Sequence, residues 1–173
     1  MKLTPTTQKF VLHWGEMGAR WGISRSVAQI HALLMISPEP LPADEIAETL
    51  ATARSAVSTG IKELQGWGLI RIVHHMGDRR DHFATLDDVW EMFLLIMRER
   101  RRRELDPTVA VLRECAAEAA ASKSIPASTL KRFADLAEFM ELTSRWCERS
   151  QALSPAGLKR LASLGDKVFK LIG

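Results

Sequence analysis

The chain has 173 residues, 46% of them hydrophobic and 26% charged, which is enough apolar material for a core in one domain, or one domain with a helical extension. That composition excludes a disordered tail and a fibrous repeat. The longest uninterrupted apolar run, Met92–Met97, is six residues, against the roughly 18–20 that cross a bilayer. Met1-Lys2-Leu3-Thr4-Pro5 lacks the apolar stretch of a signal peptide, so a cytoplasmic protein with no membrane partner is expected. Cys115 and Cys147 are the two cysteines, too few for a disulfide framework and most simply buried thiols in a reducing compartment.

Net charge is +3, too mild to prove a nucleic-acid partner, but it is unevenly placed. Glu39, Asp44, Glu45 and Glu48 stand in residues 39–48 without a base, whereas residues 98–103 hold five arginines and one glutamate. Such a distribution lets one face meet an anionic ligand while the total stays near neutral.

The first elements read as helices. Over 7–20, Phe10, Trp14 and Met17 recur at helical spacing, and over 26–36 so do Val27, Ile30, Leu33 and Leu34. Gly22 and Ser24 separate them, with Ser24 placed as an N-cap. Three prolines in Pro38-Glu39-Pro40-Leu41-Pro42 then stop the helix, because they remove donors and push their neighbours toward extended backbone. Ile46, Ala47 and Leu50 predict a short helix over about 43–50, and Val57, Ile61 and Leu64 a second over about 54–66. Only Ala51-Thr52-Ala53 lies between them, the length of a tight helix-turn-helix connection.

The period then shifts from 3.6 toward 2. Leu69–Met76 is rich in β-formers, Gly77–Asp81 is a turn, and His82–Leu86 pairs back, so 69–86 predicts a β-hairpin and the one convincing strand pair. Thr85-Leu86-Asp87-Asp88 has the form of a capping box opening a helix of about twenty residues. Asp106-Pro107 allows a break or a fresh start, followed by an alanine-rich helix to about Ser122. Two further amphipathic stretches carry Leu130, Phe133, Ala137 and Met140, then Leu158, Leu161, Leu164 and Val168, with Pro155 at the last start.

Two helices, a tight turn and a hairpin over 43–86 make a winged helix-turn-helix. In that arrangement the second helix enters the major groove and the hairpin reaches the flanking backbone or minor groove. With Val57, Ile61 and Leu64 inward, the opposite face carries Arg54, Ser55, Ser58, Thr59 and Lys62, side chains that suit base edges and phosphates. An ordinary solvated helix surface would look the same. The wing tip adds Arg79 and Arg80 on a hairpin with little core to bury, and arginine suits phosphates and narrow minor grooves. Its alternative is a charged turn that keeps the hairpin soluble. Gly60 costs about 1 kcal/mol inside a helix relative to alanine, and a close approach by another backbone would account for it.

At these residues the sequence resembles a family. The winged helix over 43–86 is similar to that of MarR-type bacterial regulators. More narrowly, Glu63-Leu64-Gln65-Gly66-Trp67-Gly68-Leu69-Ile70, then Gly77-Asp78-Arg79-Arg80-Asp81-His82-Phe83 and Asp88-Val89-Trp90-Glu91-Met92-Phe93, resemble the GbsR branch over about 10–100. The resemblance implies a homodimer of winged helices, held by N- and C-terminal helices, that binds an operator as a repressor or autoregulator. By the same match Arg54, Ser55, Ser58, Thr59 and Lys62 take the recognition-helix role, and Arg79 and Arg80 the wing role.

Some members of that branch sense choline or related quaternary ammonium solutes through aromatic residues. A cation over a ring face gains roughly 0.5–2 kcal/mol, and this chain offers Trp14, Trp21 and Trp90 but no tyrosine. The alternative is that these three are core or dimer anchors. His74, His75, Asp78 and His82 share one hairpin, but adjacent strand residues face opposite ways, so no metal site is expected. No nucleophile–base–orienter grouping, Gly-rich phosphate loop or helical HExxH occurs, so no enzyme activity and no cofactor are expected.

The expected architecture is therefore mainly α with a small β-hairpin wing. It comprises N-terminal helices over 7–36 for dimerisation and support, a winged helix-turn-helix over 37–86, and a C-terminal helical region over 87–173 for dimerisation and an effector. The expected partners are a second copy and double-stranded DNA bearing a pseudo-palindromic operator, with half-sites about one helical turn (~34–36 Å) apart. Two other readings stay open, a winged helix that grips a protein partner and a regulator switched by thiol oxidation at Cys115 or Cys147.

Overall fold

In the computed structural model the described residues are 1–122 and 124–172, with side chains described through Gly165. The chain divides into two compact units, Met1–Val89 and Trp90–Gly173. Among the described residues no helix is long and apolar enough to cross a membrane.

The first unit opens with α1 (Pro5–Arg20). Extended Thr4 caps it, its hydroxyl accepting from the Thr7 amide at 3.3 Å, and Pro5 sits where a missing N–H costs nothing. Gly22, at φ +80°, turns the chain out of the helix while the Ile23 amide donates back to the Gly18 carbonyl at 2.9 Å. Helix α2 (Arg25–Ile36) follows; Ser24 occupies its N-cap position but makes no side-chain cap, its hydroxyl lying 2.9 Å from that of Ser26 instead. Val27, Ala28, Ile30, Ala32, Leu33 and Leu34 are all buried, so α2 is apolar nearly all round and forms the pillar of this unit.

Strand β1 (Leu41–Pro42) lies within the proline-rich stretch expected only to stop α2, yet it pairs antiparallel with β3 (His82–Thr85), Leu41 opposite Phe83 and Pro42 opposite His82. It lies at the edge of a sheet of order β1-β3-β2, where a proline is tolerated because the outer side needs no donor. Helices α3 (Ala43–Thr49) and α4 (Arg54–Gly66) are joined through Ala51 at φ +50°. Gly68, at φ +74°, ends α4 and lets the Leu69 amide reach the Leu64 carbonyl at 2.9 Å. Strand β2 (Ile70–Val73) then pairs with β3 from Ile70 opposite Thr85 to Val73 opposite His82. Ile30, Leu33, Ile46, Val57 and Leu69 are the largest fully buried side chains.

Thr85 does not open the next helix. It is the last residue of β3, its hydroxyl donates to the Leu69 carbonyl at 3.2 Å and lies 3.4 Å from His31 Nε2, and the helix begins at Val89. The Leu69 carbonyl and the His31 ring outcompete the predicted cap.

In the second unit, α5 (Val89–Arg100), a π-helical turn (Arg101–Leu105) and α6 (Asp106–Ala121) run on without a break. Arg100, Leu105 and Asp106 all keep right-handed helical dihedrals, and the Asp106 amide donates to the Arg101 carbonyl five residues back. Pro107 has no N–H and its ring would strike the carbonyl four residues earlier in a regular helix; the wider π turn accommodates it. Helices α7 (Ala127–Gln151) and α8 (Pro155–Ile172) complete this unit, α7 packing against α6. Val168, the last position of the predicted α8 stripe, lies outside the described side chains. On α7, Ala137 is buried and Leu130, Phe133 and Met140 are half-buried, while a second stripe of Leu136, Phe139, Leu142 and Trp146 is exposed.

Two predictions follow from this packing. A Cβ on Gly18 would collide with the Ala28 Cβ, a contact fixed to two helix backbones. Overpacking of about 1–3 kcal/mol, less about 1 kcal/mol of helix propensity regained, leaves Gly18→Ala destabilised by up to about 2 kcal/mol in urea unfolding. His31 is buried, and burial lowers its pKa from 6.5 to about 4. The unfolded chain therefore binds a proton that the folded chain refuses between those values. This contribution is complete above about pH 6.5 and declines by up to about 3 kcal/mol as the pH falls to 4. His31→Gln is expected to flatten that part of the slope, read from urea midpoints at about pH 7 and about pH 4.5.

Candidate nucleic-acid interface

Helix α4 is presented by its buried edge. Val57, Ile61 and Leu64 face the core, and Arg54, Ser55, Ser58, Thr59 and Lys62 are all exposed on the other side. Gly60 belongs to the buried edge, and a Cβ there would stand 2.6 Å from Ile30 Cδ1 and 3.5 Å from Val27 Cγ2. The close approach expected at Gly60 is thus made by a side chain of α2 rather than by another backbone. On the outer face, the Thr59 hydroxyl donates to the Ser55 carbonyl at 3.1 Å, which leaves its oxygen free to accept, while the exposed Ser58 hydroxyl retains both capacities. Among the described residues Lys62 and Arg54 form no ion pair within 4.0 Å, although Arg54 lies near enough to Asp44 to favour its charged form.

The two wing arginines have different surroundings. Gly77, at φ +86°, turns the chain, and Asp78 folds back to accept from the Arg80 amide at 2.9 Å. The Arg80 guanidinium forks onto the same carboxylate, Nε at 3.0 Å and Nη2 at 2.7 Å from Asp78 Oδ2, and its Nη1 reaches Asp44 at 3.2 Å and Glu45 at 3.9 Å. Arg80 therefore fastens the wing tip to α3, the first helix of the helix-turn-helix. Hydrogen bonds from Arg80 hold the Asp78 carboxyl below the usual carboxylate range and raise the Arg80 pKa in turn. Asp44 is lowered by its own backbone amide and then by Arg80. Arg79 is exposed and has no ion-pair partner among the described residues. The acidic run over 39–48 and the wing, read separately from the sequence, thus meet; Asp44, Glu45 and Asp78 are the residues that sequence reasoning missed as partners of Arg80.

The hairpin histidines serve the wing. His82 is buried, its Nδ1 3.0 Å from the Arg80 carbonyl and its Nε2 3.5 Å from Asp78, and His75 meets its ring edge-on at 4.6 Å. Among the described residues no group of three or more His, Cys, Asp or Glu is placed to hold a metal ion. Of the candidate effector residues, Trp14 is half-buried with its ring 5.5 Å from that of Phe10. Trp21 follows α1 and is 49% exposed, and Trp90 is the first residue of the second unit.

A helix pair at a tight turn, its second helix bared along one polar face beside a three-stranded sheet with a tied hairpin, defines a winged helix-turn-helix. The expected fold class, mainly α with a small wing, holds. Residues 21–81 match the MarR family model. The chain is similar to the HTH-type transcriptional repressor GbsR of Bacillus subtilis (strain 168), 28% identical over 98 residues, or 57% of this chain and 54% of that protein. The match spans about half the length of that relative. In fold it resembles a solved structure described as a transcriptional regulator, with a TM-score of 0.61 at 22% identity over 85% of this chain and 96% of that one.

The clamp geometry predicts unequal roles for neighbouring arginines. Arg80→Ala and Asp78→Ala are expected to speed amide hydrogen exchange over residues 77–81, whereas Arg79→Ala leaves it unchanged. Equal exchange in all three variants would show that the Arg80 contacts do not hold the wing.

Proposed function

We propose that the chain is a transcriptional regulator that binds double-stranded DNA as a homodimer and represses or autoregulates from a pseudo-palindromic operator. The observation that carries this reading is the outer face of α4. Five polar or basic side chains, Arg54, Ser55, Ser58, Thr59 and Lys62, are exposed together on a helix whose other edge is locked into the core. Ser58, Thr59 and Arg54 are suited to base edges, and Lys62 to phosphate. Arg79, exposed at the wing tip, is the phosphate or minor-groove contact; Arg80 holds the wing in place and lends its charge to the same surface.

The exposed α7 stripe supports the dimer. Leu136, Phe139, Leu142 and Trp146 are 47%, 61%, 60% and 62% exposed, a contiguous apolar face that a monomer rarely leaves in water. A second copy of the same helix can cover it across a two-fold axis. The ligand-responsive part of the reading rests on Trp21, whose half-exposed indole offers a face to a quaternary ammonium cation, with Trp14 as the other candidate of the same unit. A protein-gripping winged helix would want an acidic or apolar recognition face, and α4 presents neither. The thiol-switch reading requires access, but Cys147 is buried and Cys115 only partly exposed.

Gel-shift titrations over a range of salt test the proposal. Arg79→Ala is expected to weaken binding to all duplexes alike and to lower the salt slope by about 0.9, whereas Ser58→Ala and Thr59→Ala change base preference in a selection from random duplexes. Retention of wild-type affinity and preference by all three variants would remove α4 and the wing from the interface.

A further inference from the structure

The hairpin ends in an apolar residue. The His75 carbonyl accepts from the Asp78 amide at 3.1 Å, which closes a four-residue turn with Met76 and Gly77 at its corners. Gly77, at φ +86°, has the left-handed backbone that the second corner of a type II turn requires. Met76 thus stands at the apex of the wing. Its side chain is 106% exposed, whereas no other large apolar side chain among the described residues exceeds 63%. A single apolar residue on a surface is ordinary; the place of this one is not. Between His74 and Asp81 it is the only apolar side chain, set among histidines, arginines and aspartates.

The apex is also held. Asp78, the last residue of the turn, accepts from the Arg80 amide at 2.9 Å and from the Arg80 guanidinium at 2.7 Å, and Arg80 reaches Asp44 of α3 at 3.2 Å. Met76 is therefore carried on a turn fastened to the helix-turn-helix, so little freedom remains to be lost when it is inserted into a partner. Arg79, three residues on, is exposed beside it. Proteins that enter the minor groove combine cations drawn by its negative potential with apolar wedges that slip between base pairs, unstack one step and kink the duplex. Methionine, unbranched and polarizable, is among the side chains used as wedges.

We propose that Met76 is such a wedge, its side chain entering between two base pairs in the minor groove flanking the α4 site while Arg79 holds the adjacent backbone. The proposal rests on the DNA-binding reading above and adds to it a position where sequence is selected by deformability rather than by base-edge contacts. Pyrimidine–purine steps such as TA unstack readily and A-tracts are stiff, so a TA step is favoured beneath the wing.

Duplexes selected from a random pool on the unaltered chain supply the probe. Each flanking step is then set to TA or AA, or carries 2-aminopurine in place of adenine, a base that brightens when unstacked. The unaltered chain is expected to bind TA at least about fivefold more tightly than AA at one step in each flank, and at saturation to brighten 2-aminopurine there. Met76→Ser is expected to cut that preference below about twofold and leave the fluorophore quenched, with the salt slope unchanged because no charge is removed. Met76→Leu retains both signals, since an apolar side chain of similar size can still enter. If the unaltered chain retains no duplex, the DNA-binding reading falls and the wedge with it. If it binds without a step preference, or Met76→Ser keeps the preference and the brightening, the wedge alone is overturned.

Discussion

The placement of α4 depends on one steric constraint, the absence of a side chain at Gly60. Ile30, which is fully buried, extends its Cδ1 to within 2.6 Å of where a Cβ would stand. The two helices approach closely because one of them has nothing there. Val57, Ile61 and Leu64 then seat against the core on either side of that contact, and the polar face of α4 is directed outward as a consequence. Gly18 against Ala28 repeats the device between α1 and α2. Through these two contacts α2, an almost wholly buried helix, fixes both α1 and the presented helix. A glycine that weakens a helix locally is kept because it lets tertiary packing gain more than propensity loses.

Electrostatics is divided between holding and presenting. Arg80 satisfies one carboxylate in its own turn and two at the start of α3, so the hairpin, which has little core of its own, is held by charge as well as by the pairing of β2 with β3. Exposed ion pairs contribute little individually, but a guanidinium shared among three carboxylates restricts where a short wing can point. Arg79, one residue earlier, has no such partner among the described residues. Adjacent arginines identical in the sequence thus differ in what they are free to meet.

The helical unit shows the same interplay of local rule and context. A proline in the middle of a long helix ordinarily kinks or ends it. Here the chain absorbs Pro107 by widening one turn over Arg101–Leu105 and continuing. Glu99, nearly buried, accepts from Arg102 and Arg103 on the flank of that turn, and the Arg102 hydrogen bond in particular holds its carboxyl below the usual range. Part of the arginine run is therefore neutralised within its own helix, and Arg101 pairs with Asp106 at 3.6 Å.

Much of the molecule was legible in the amino-acid order. Apolar spacing located α1 through α4 nearly to the residue, the change of period located β2 and β3, and the buried positions Val57, Ile61 and Leu64 determined which side chains of α4 would be exposed, since a helix with one edge inward has only one edge to show. Contacts between segments distant in sequence were beyond such reading. Pairing of Leu41 with Phe83, diversion of the Thr85 hydroxyl to Leu69 and His31, and capture of Arg80 by Asp44 and Glu45 all join residues more than a dozen positions apart. The second apolar stripe of α7 belongs with these, because periodicity reveals an apolar face without saying what covers it. Local sequence determines which conformations and faces a segment prefers; tertiary structure alone decides which polar groups compete for a partner, because that outcome depends on distances the chain acquires only when it folds.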